Sequence, residues 1–446
     1  MAIHPIDFRY GTPEMRAVWS EENRFAAIVK SEIALAKAQA KHGMIPPEAS
    51  EEIAARAKEA SLERAREIED EINHDMMAIV RAITEVCGES GRWIHYGATS
   101  NDILDTATGI QVKESLLLIE VKLKRLLGVL IERAGETKHL VCAGRTHGQI
   151  GVPTTYGLRF AIWASEVGRH IERLDQLRPR VAVGQMTGAV GTMAAMGDNG
   201  YEVMVSMMEY LELFPVDVSN QIIQRDRYAE YFMLLANIAT TLDKIGIEIR
   251  MMQRSEIGEM EESFGKKQVG SSTMPHKRNP IKSEQVCGLA RIVRSFVEPS
   301  LLNNTLWDER DLTNSSCERV TFPEASILAD HILNVMIRVL EGVKFNEANI
   351  RRNLNLLQGV NMAESIMIEL TKSGMDRQEA HELIRVSSMS AIELQRPLVE
   401  ILANSSRVVE YLSEEKIKEL LDPENYIGTS VWQVENVIDK LTPFSI

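Results

Sequence analysis

Positive charge is what this 446-residue chain has too little of: 50 Lys and Arg stand against 64 Asp and Glu, a formal balance of −14. A phosphate backbone needs a basic surface or stripe, so no nucleic-acid partner is expected. A small anion is still admissible, provided that a few Arg and Lys overcome the overall field locally. Cysteine is scarce too. Cys87, Cys142, Cys287 and Cys317 stand without CxxC spacing, which argues for reduced, mostly buried thiols and against a disulfide framework or zinc site. No apolar run approaches the roughly 20 residues a bilayer span needs, so no membrane association is expected. The opening MAIHPIDFRYGTPEM lacks the basic-then-apolar pattern of a secretory signal, and a cytoplasmic location is the corresponding expectation. Low-complexity tracts and internal repeats are missing as well.

Proline is absent between Pro47 and Pro153 and between Pro215 and Pro275, and those windows are rich in Ala, Leu, Glu, Lys and Met. Long helices should fill them. From Asp105 to Arg133 the apolar positions Leu116, Ile119, Leu123, Leu126, Leu127, Leu130 and Ile131 recur at three- and four-residue steps, as on a helix that buries one broad stripe. Tyr156 to Leu174, Gln221 to Met252, Ile281 to Leu301 and Pro323 to Val343 read similarly, and alternating strand-type runs are hard to find. The fold class expected is all-α, a central bundle of long helices with helical ends.

Against this helical background a few polar stretches stand out. The densest is Gly270-Ser271-Ser272-Thr273-Met274-Pro275-His276-Lys277-Arg278-Asn279-Pro280, where two prolines deny regular helix and hydroxyls, an amide and cations can all face a ligand. Read singly, its serines would be helix caps. Arg9-Tyr10 precedes a helix start signalled by Thr12-Pro13-Glu14 and carries a guanidinium able to fork onto phosphate oxygens. Asn73-His74-Asp75 interrupts a helical run that begins near Glu51. His95 to Asp102, HYGATSND, breaks helix periodicity with Gly97 and offers Ser100, Asn101 or Asp102 as a cap, at a helix start whose N–H groups also attract carboxylates. Gly144-Arg145-Thr146-His147-Gly148-Gln149 is a second polar insertion between apolar flanks. Gln221 opens a long helix in VSNQIIQRDR, and Glu309 to Arg319 mixes cations and hydroxyls after Trp307. From about Ile350 onward no chemistry is identifiable, and the segment reads as a helical cap.

The run GSSTMPHKRNPIKSE resembles the signature loop of the fumarase/aspartase superfamily, and the other motifs follow in family order from Arg9 to Arg319, nearly three quarters of the chain. The resemblance implies three helical domains: residues 1–104, a central long-helix bundle 105–350 with the signature loop at 262–280, and 351–446. It implies elimination of fumarate from a succinylated amine. The Met-Pro-His-Lys-Arg wording is most similar to the branch that acts on succinylated purine nucleotides, so the implied partner is a small-molecule nucleotide, with no cofactor and no metal. It further implies a homotetramer with shared active sites, in which helices of four subunits form one core and each site draws on three chains.

Carried over residue by residue, the resemblance makes Ser271 the base, in preference to Ser272, and His147 the proton donor to the leaving nitrogen, with Glu284 against its imidazole. Abstracting a proton beside a carboxylate leaves a dianionic aci-carboxylate, which Lys277, Asn279 and backbone N–H groups near Ser272 and Met274 would stabilise. Losing one such donor typically raises a barrier by ~2.7 to 4 kcal/mol. Arg9, Tyr10, Arg310, Ser315 and Arg319 would hold phosphate or ribose. The segment with His95, Thr99 and Ser100 would take a succinyl carboxylate, and Asn73, His74, Asp75 and Gln221 would line the substrate site. Argininosuccinate lyase, class II fumarase and aspartase share the GSS loop but have no phosphate to hold. A lactonising cycloisomerase of the superfamily is the nearer alternative, and a noncatalytic helical scaffold is the alternative from another class.

Overall fold

The computed structural model describes residues 4–265 and 273–446; Gly270, Ser271 and Ser272 of the signature run lie outside them. Helix dominates. Thr12 caps the short α1 (Pro13–Val18), its hydroxyl accepting the Met15 N–H, and Ser20 caps α2 (Glu21–Lys41) in the same way. There follow α3 (Asp75–Val86), α4 (Ser100–Glu136), α5 (Tyr156–Val181), α6 (Asp226–Met252), α7 (Ile281–Ser295), α8 (Thr313–Gly342) and α9 (Glu347–Leu354), with shorter helices between and after them. Among the described residues no helix is long and apolar enough to cross a membrane.

Strand is confined to three two-stranded pieces: β1 (Val141–Thr146) antiparallel to β2 (Gln149–Thr155), β3 (Val183–Gly184) parallel to β4 (Phe214–Pro215), and β5 (Met260–Glu261) antiparallel to β6 (Lys344–Phe345). The all-α reading holds. The β1–β2 hairpin nevertheless falls on the GRTHGQ motif, where strand patterning was not recognised. Its two-residue turn sets both His147 and Gly148 at positive φ, 53° and 76°, which suits the twist of a tight hairpin. Pro153 is tolerated because a two-stranded ribbon consists of edges only.

The chain forms two compact units. The first comprises residues up to Leu123 with Arg169–Leu242 and Gly288–Asn334; the second comprises Lys124–Gly168, Asp243–Cys287 and Val335–Ile446. In the first, a hydrophobic core runs through Phe25, Ile28, Leu35, Ile53, Ile83, Ile103, Met204 and Ile223. Phe322 adds an aromatic centre, stacked on Trp19 at 5.5 Å and edge-on to Tyr228 at 5.1 Å. In the second, Ile366, Leu370, Ile384, Leu398, Leu402 and Ile417 form a core of their own. Of the stripe read along α4, Leu116, Ile119, Leu123, Leu126, Leu127 and Leu130 are fully buried. Cys87, Cys142 and Cys287 are buried thiols and Cys317 is half-buried.

Three helix boundaries differ from expectation, each for a local reason. The helix expected from Gln221 begins at Asp226, because the Ile222 N–H is taken by the Asn220 side chain at 3.2 Å and the Ile223 N–H by Asp105 at 2.9 Å. The run from Ile281 to Leu301 breaks at Phe296, giving α7 and a separate helix Val297–Leu302. The helix expected to open at Pro323 instead begins at Thr313 and carries Pro323 in its interior, forfeiting one main-chain hydrogen bond there.

Candidate active site

In the first unit a cavity of about 220 Å³ is lined by Arg24, Asn101, Asp105, Arg225, Arg310, Ser315, Glu318 and Arg319 among others. A second cavity of about 200 Å³ shares Arg24 and Arg319 with it and reaches Asp75. Arg225 is fully spoken for: its guanidinium forks onto Asp105 at 2.7 and 2.8 Å and reaches Glu318 at 3.0 Å from Nε, all out of water. Burial, which Arg225 only partly offsets, raises the Glu318 carboxyl above its ordinary value.

Arg310 is placed differently. Its Nη1 donates to the Gln221 side-chain oxygen at 3.1 Å, while its buried Nε has no hydrogen-bond partner among the described residues. Burial first, with Arg225 adding repulsion, lowers its proton affinity, as burial and Arg319 lower that of Arg24. Both stay cationic at neutral pH. Arg319 pairs with Asp75; burial works against that carboxylate, but Arg319, the Met76 N–H at 2.7 Å and Arg24 hold it below the usual range. Arg24, Arg310 and Arg319 therefore line one cavity, and of their groups the buried Nε of Arg310 is left without an acceptor among the described residues.

Two side-chain amides, the buried Gln185 and the half-buried Gln221, hold this arrangement in place. Gln221 donates from Nε2 to the Ala189 carbonyl at 3.0 Å, and Gln185 donates to both the Gln221 carbonyl, at 2.9 Å, and Asp102, at 3.1 Å. Asp102, third residue of α4, reaches back to accept the N–H of Thr99 just before the helix at 2.9 Å, the backward half of a capping box, and it also accepts the Thr187 and Gly188 N–H groups. In the same motif His95 sits at φ 60°, its Nδ1 at 2.7 Å from the buried Glu32 carboxylate. Burial opposes the imidazolium, but Glu32 holds His95 above the ordinary histidine value. Asn73, at φ 53°, ends one helix and His74 caps α3, its Nδ1 accepting the Met77 N–H at 3.3 Å.

Of the residues expected in the first unit, the cavities thus gather Asp75, Arg310, Ser315 and Arg319, with Gln221 one hydrogen bond away. Arg9, Tyr10, Asn73, His74, His95, Thr99 and Ser100 do not line them. Arg9 lies 5.9 Å over the Tyr10 ring, which packs 5.3 Å from His331. Arg24, Arg225 and Gln185 were missed by sequence reasoning: Gln185 is one polar residue in an apolar stretch, while Arg24 follows a run of polar residues and Arg225 lies inside VSNQIIQRDR, where Gln221 alone was singled out.

The second unit holds the remaining described candidates. His147 stands exposed at the tip of the β1–β2 hairpin. Register slips between Ala143 and Arg145, and Gly144 is required where it stands, because a Cβ there would meet the Val152 carbonyl oxygen at 2.5 Å. Glu284 is exposed in the first turn of α7. Among the described residues it makes no hydrogen bond to His147. Met274 and Lys277 are exposed and joined by one main-chain bond of 3.0 Å, while Asn279 is half-buried. Below the loop, Glu262 accepts the Lys282 N–H at 3.2 Å and the Ser283 N–H and hydroxyl at 2.6 Å each, capping α7. The expected base Ser271, and Ser272, lie outside the described residues.

Residues 7–294 match the family model described as lyase, and residues 359–437 match that described as adenylosuccinate lyase C-terminus. An adenylosuccinate lyase of Archaeoglobus fulgidus is 54% identical over 98% of this chain and 98% of its own length. The chain belongs to the adenylosuccinate lyase family. Another member, from Pyrococcus abyssi, is 55% identical, again over 98% of each chain. A crystal structure titled 3-carboxy-cis,cis-muconate lactonizing enzyme, from Pseudomonas putida, aligns with a TM-score of 0.89 over 98% of this chain and 99% of that one, at 31% identity. The helical fumarase/aspartase fold is therefore common ground between the two kinds of enzyme, and sequence identity ranks the adenylosuccinate lyase family above the lactonising one. As a member of that family the chain is an enzyme, a lyase.

Proposed function

We propose that this chain eliminates fumarate from adenylosuccinate, giving AMP, and from succinyl-aminoimidazole carboxamide ribotide in purine biosynthesis, as a cytoplasmic homotetramer. The observation that carries the phosphate-bearing half of this reading is Arg310: a buried guanidinium nitrogen without a partner among the described residues, in a cavity with Arg24, Ser315 and Arg319. A phosphate is the ligand that three converging guanidinium groups satisfy best. Arg9 and Tyr10 complete the grip. Asn73, His74, Asp75, His95, Thr99, Ser100 and Gln221 hold the rest of the substrate.

In this reading Ser271 removes the proton from the carbon beside the succinyl carboxylate, and the electron pair moves into that carboxylate. Lys277, Asn279 and N–H groups near Ser272 and Met274 stabilise the resulting dianion. Its collapse breaks the carbon–nitrogen bond, and His147 gives its proton to the departing nitrogen. Glu284 fixes the tautomer of that histidine. That His147 makes no hydrogen bond to Glu284 among the described residues supports a site assembled from several chains, since an exposed histidine on a projecting turn is available to a neighbouring subunit. The domain reading, 1–104, 105–350 and 351–446, is kept as part of the proposal, its last segment supported by the C-terminal family match. The deciding measurement is absorbance of fumarate formed from adenylosuccinate by the purified protein. A folded protein that forms none defeats the reading.

A further inference from the structure

Glu259 takes no part in the chemistry of the proposed reaction. Its side chain has no exposure, yet three donors from three segments converge on it: Arg145 of β1, the Tyr156 hydroxyl at 2.6 Å from the first residue of α5, and the Asn353 amide at 2.9 Å from α9. Its main chain is anchored as well, the N–H donating to the Met252 carbonyl at 3.0 Å and the carbonyl accepting the Asn346 N–H at 2.9 Å. The next two residues are β5, paired with β6. Burial disfavours the carboxylate, but Arg145, Tyr156 and Asn353 together hold it below its ordinary value, so it remains an anion. A buried charge tied this firmly fixes whatever it is tied to.

What it is tied to is the ribbon that presents His147. Arg145 is two residues from that histidine, and from Thr146 to Gln149 every residue is exposed, so Arg145 is the last anchored side chain before the tip. The ladder alone does not set the tip, because the bulge opposite Gly144 interrupts it. Resting on the function proposed above, we propose that Glu259 is a positioning residue for His147, acting through Arg145 to fix the direction in which the hairpin carries its imidazole.

The test uses the full-length protein and fumarate release. Glu259→Gln should lower kcat by about tenfold or more with KM within about threefold, since the group acts on proton delivery rather than on binding. Arg145→Lys, which keeps the charge but loses the planar fork, should do the same, whereas Asn353→Ala should leave kcat within about threefold. In a His147→Ala background, Glu259→Gln or Arg145→Lys should lower the residual rate by less than about twofold, because the group they position is gone. An unchanged kcat in the single variants, or an equal fold-loss with and without His147, overturns the proposal. Should Glu259→Gln fail to fold, Arg145→Lys carries both arms. Absence of fumarate with the wild-type protein would instead defeat the parent reading, so the two failures are distinguishable.

Discussion

The two compact units use buried charge to opposite ends. In the first, Arg225 is saturated by Asp105 and Glu318, and beside it the buried Nε of Arg310 has no partner among the described residues. In the second, Glu259 is saturated by Arg145, Tyr156 and Asn353, and the ribbon it anchors ends in an exposed histidine four residues beyond the buried Ala143. In the function proposed, one network belongs to a receptor and the other to a mount. Binding and proton transfer should therefore separate cleanly when residues of the two units are changed.

The largest effect is expected in the second unit and its loop. His147→Ala and Ser271→Ala should each lower kcat at least ~10²-fold with substrate affinity within about tenfold. A Ser271→Ala protein keeping more than about a tenth of wild-type kcat would move the base role to Ser272. Next come Arg310→Ala and Arg319→Ala in the first unit, which should raise KM about tenfold or more while changing kcat less. An equal loss of affinity for a dephosphorylated succinyladenosine analogue would show that neither holds phosphate. Mixing inactive His147→Ala and Ser271→Ala proteins sharpens the comparison further. If the two residues of a site come from different chains, random exchange at equal amounts leaves about one site in four with both intact, and activity should recover toward that fraction. No recovery after verified exchange, or a stable active monomer in sedimentation, rejects shared sites.

The smallest effect concerns stability. Because the folded protein holds Glu259 below its ordinary value of 4.5, its ionised form stabilises the fold above that pH, and the contribution is lost as pH falls through the folded value. Glu259→Gln should therefore melt below wild type near neutrality, by about 3 kcal/mol if the buried pair behaves typically. The gap should narrow as pH falls below 4.5 and through the lowered folded value, where the wild-type group takes up its proton. A gap that does not depend on pH would mean the carboxylate charge is not what stabilises this cluster.

Much of this was legible in the chain itself. Periodicity along Leu116 to Leu130 located a helix whose stripe is fully buried, because a 3.6-residue repeat survives any tertiary context that buries one face. Asp75, Arg310, Ser315 and Arg319 stood in motifs and meet around two adjoining cavities. The hairpin at Val141 to Thr155 did not announce itself, since glycines, a proline and polar residues dilute its alternation, and its clearest sign was the His147-Gly148 pair at the turn. Arg24, Arg225 and Glu259 were invisible for another reason. Each gains its meaning from partners far away in sequence, and a charge standing among other charges, as in SEENRF, QRDR and EMEE, carries no local mark of its role.

The two-residue turn at His147 carries a last implication, for tolerance to insertion and deletion. One residue added or removed between Thr146 and Gln149 would replace the two-residue turn that sets His147 and Gly148 at positive φ, and so redirect the imidazole relative to the anchored Arg145. Most exposed loops accept a change of length with little consequence. This one should not, despite its full exposure to solvent: its chemistry is encoded in a residue count, and variants of the chain should differ freely in the composition of the tip long before they differ in its length.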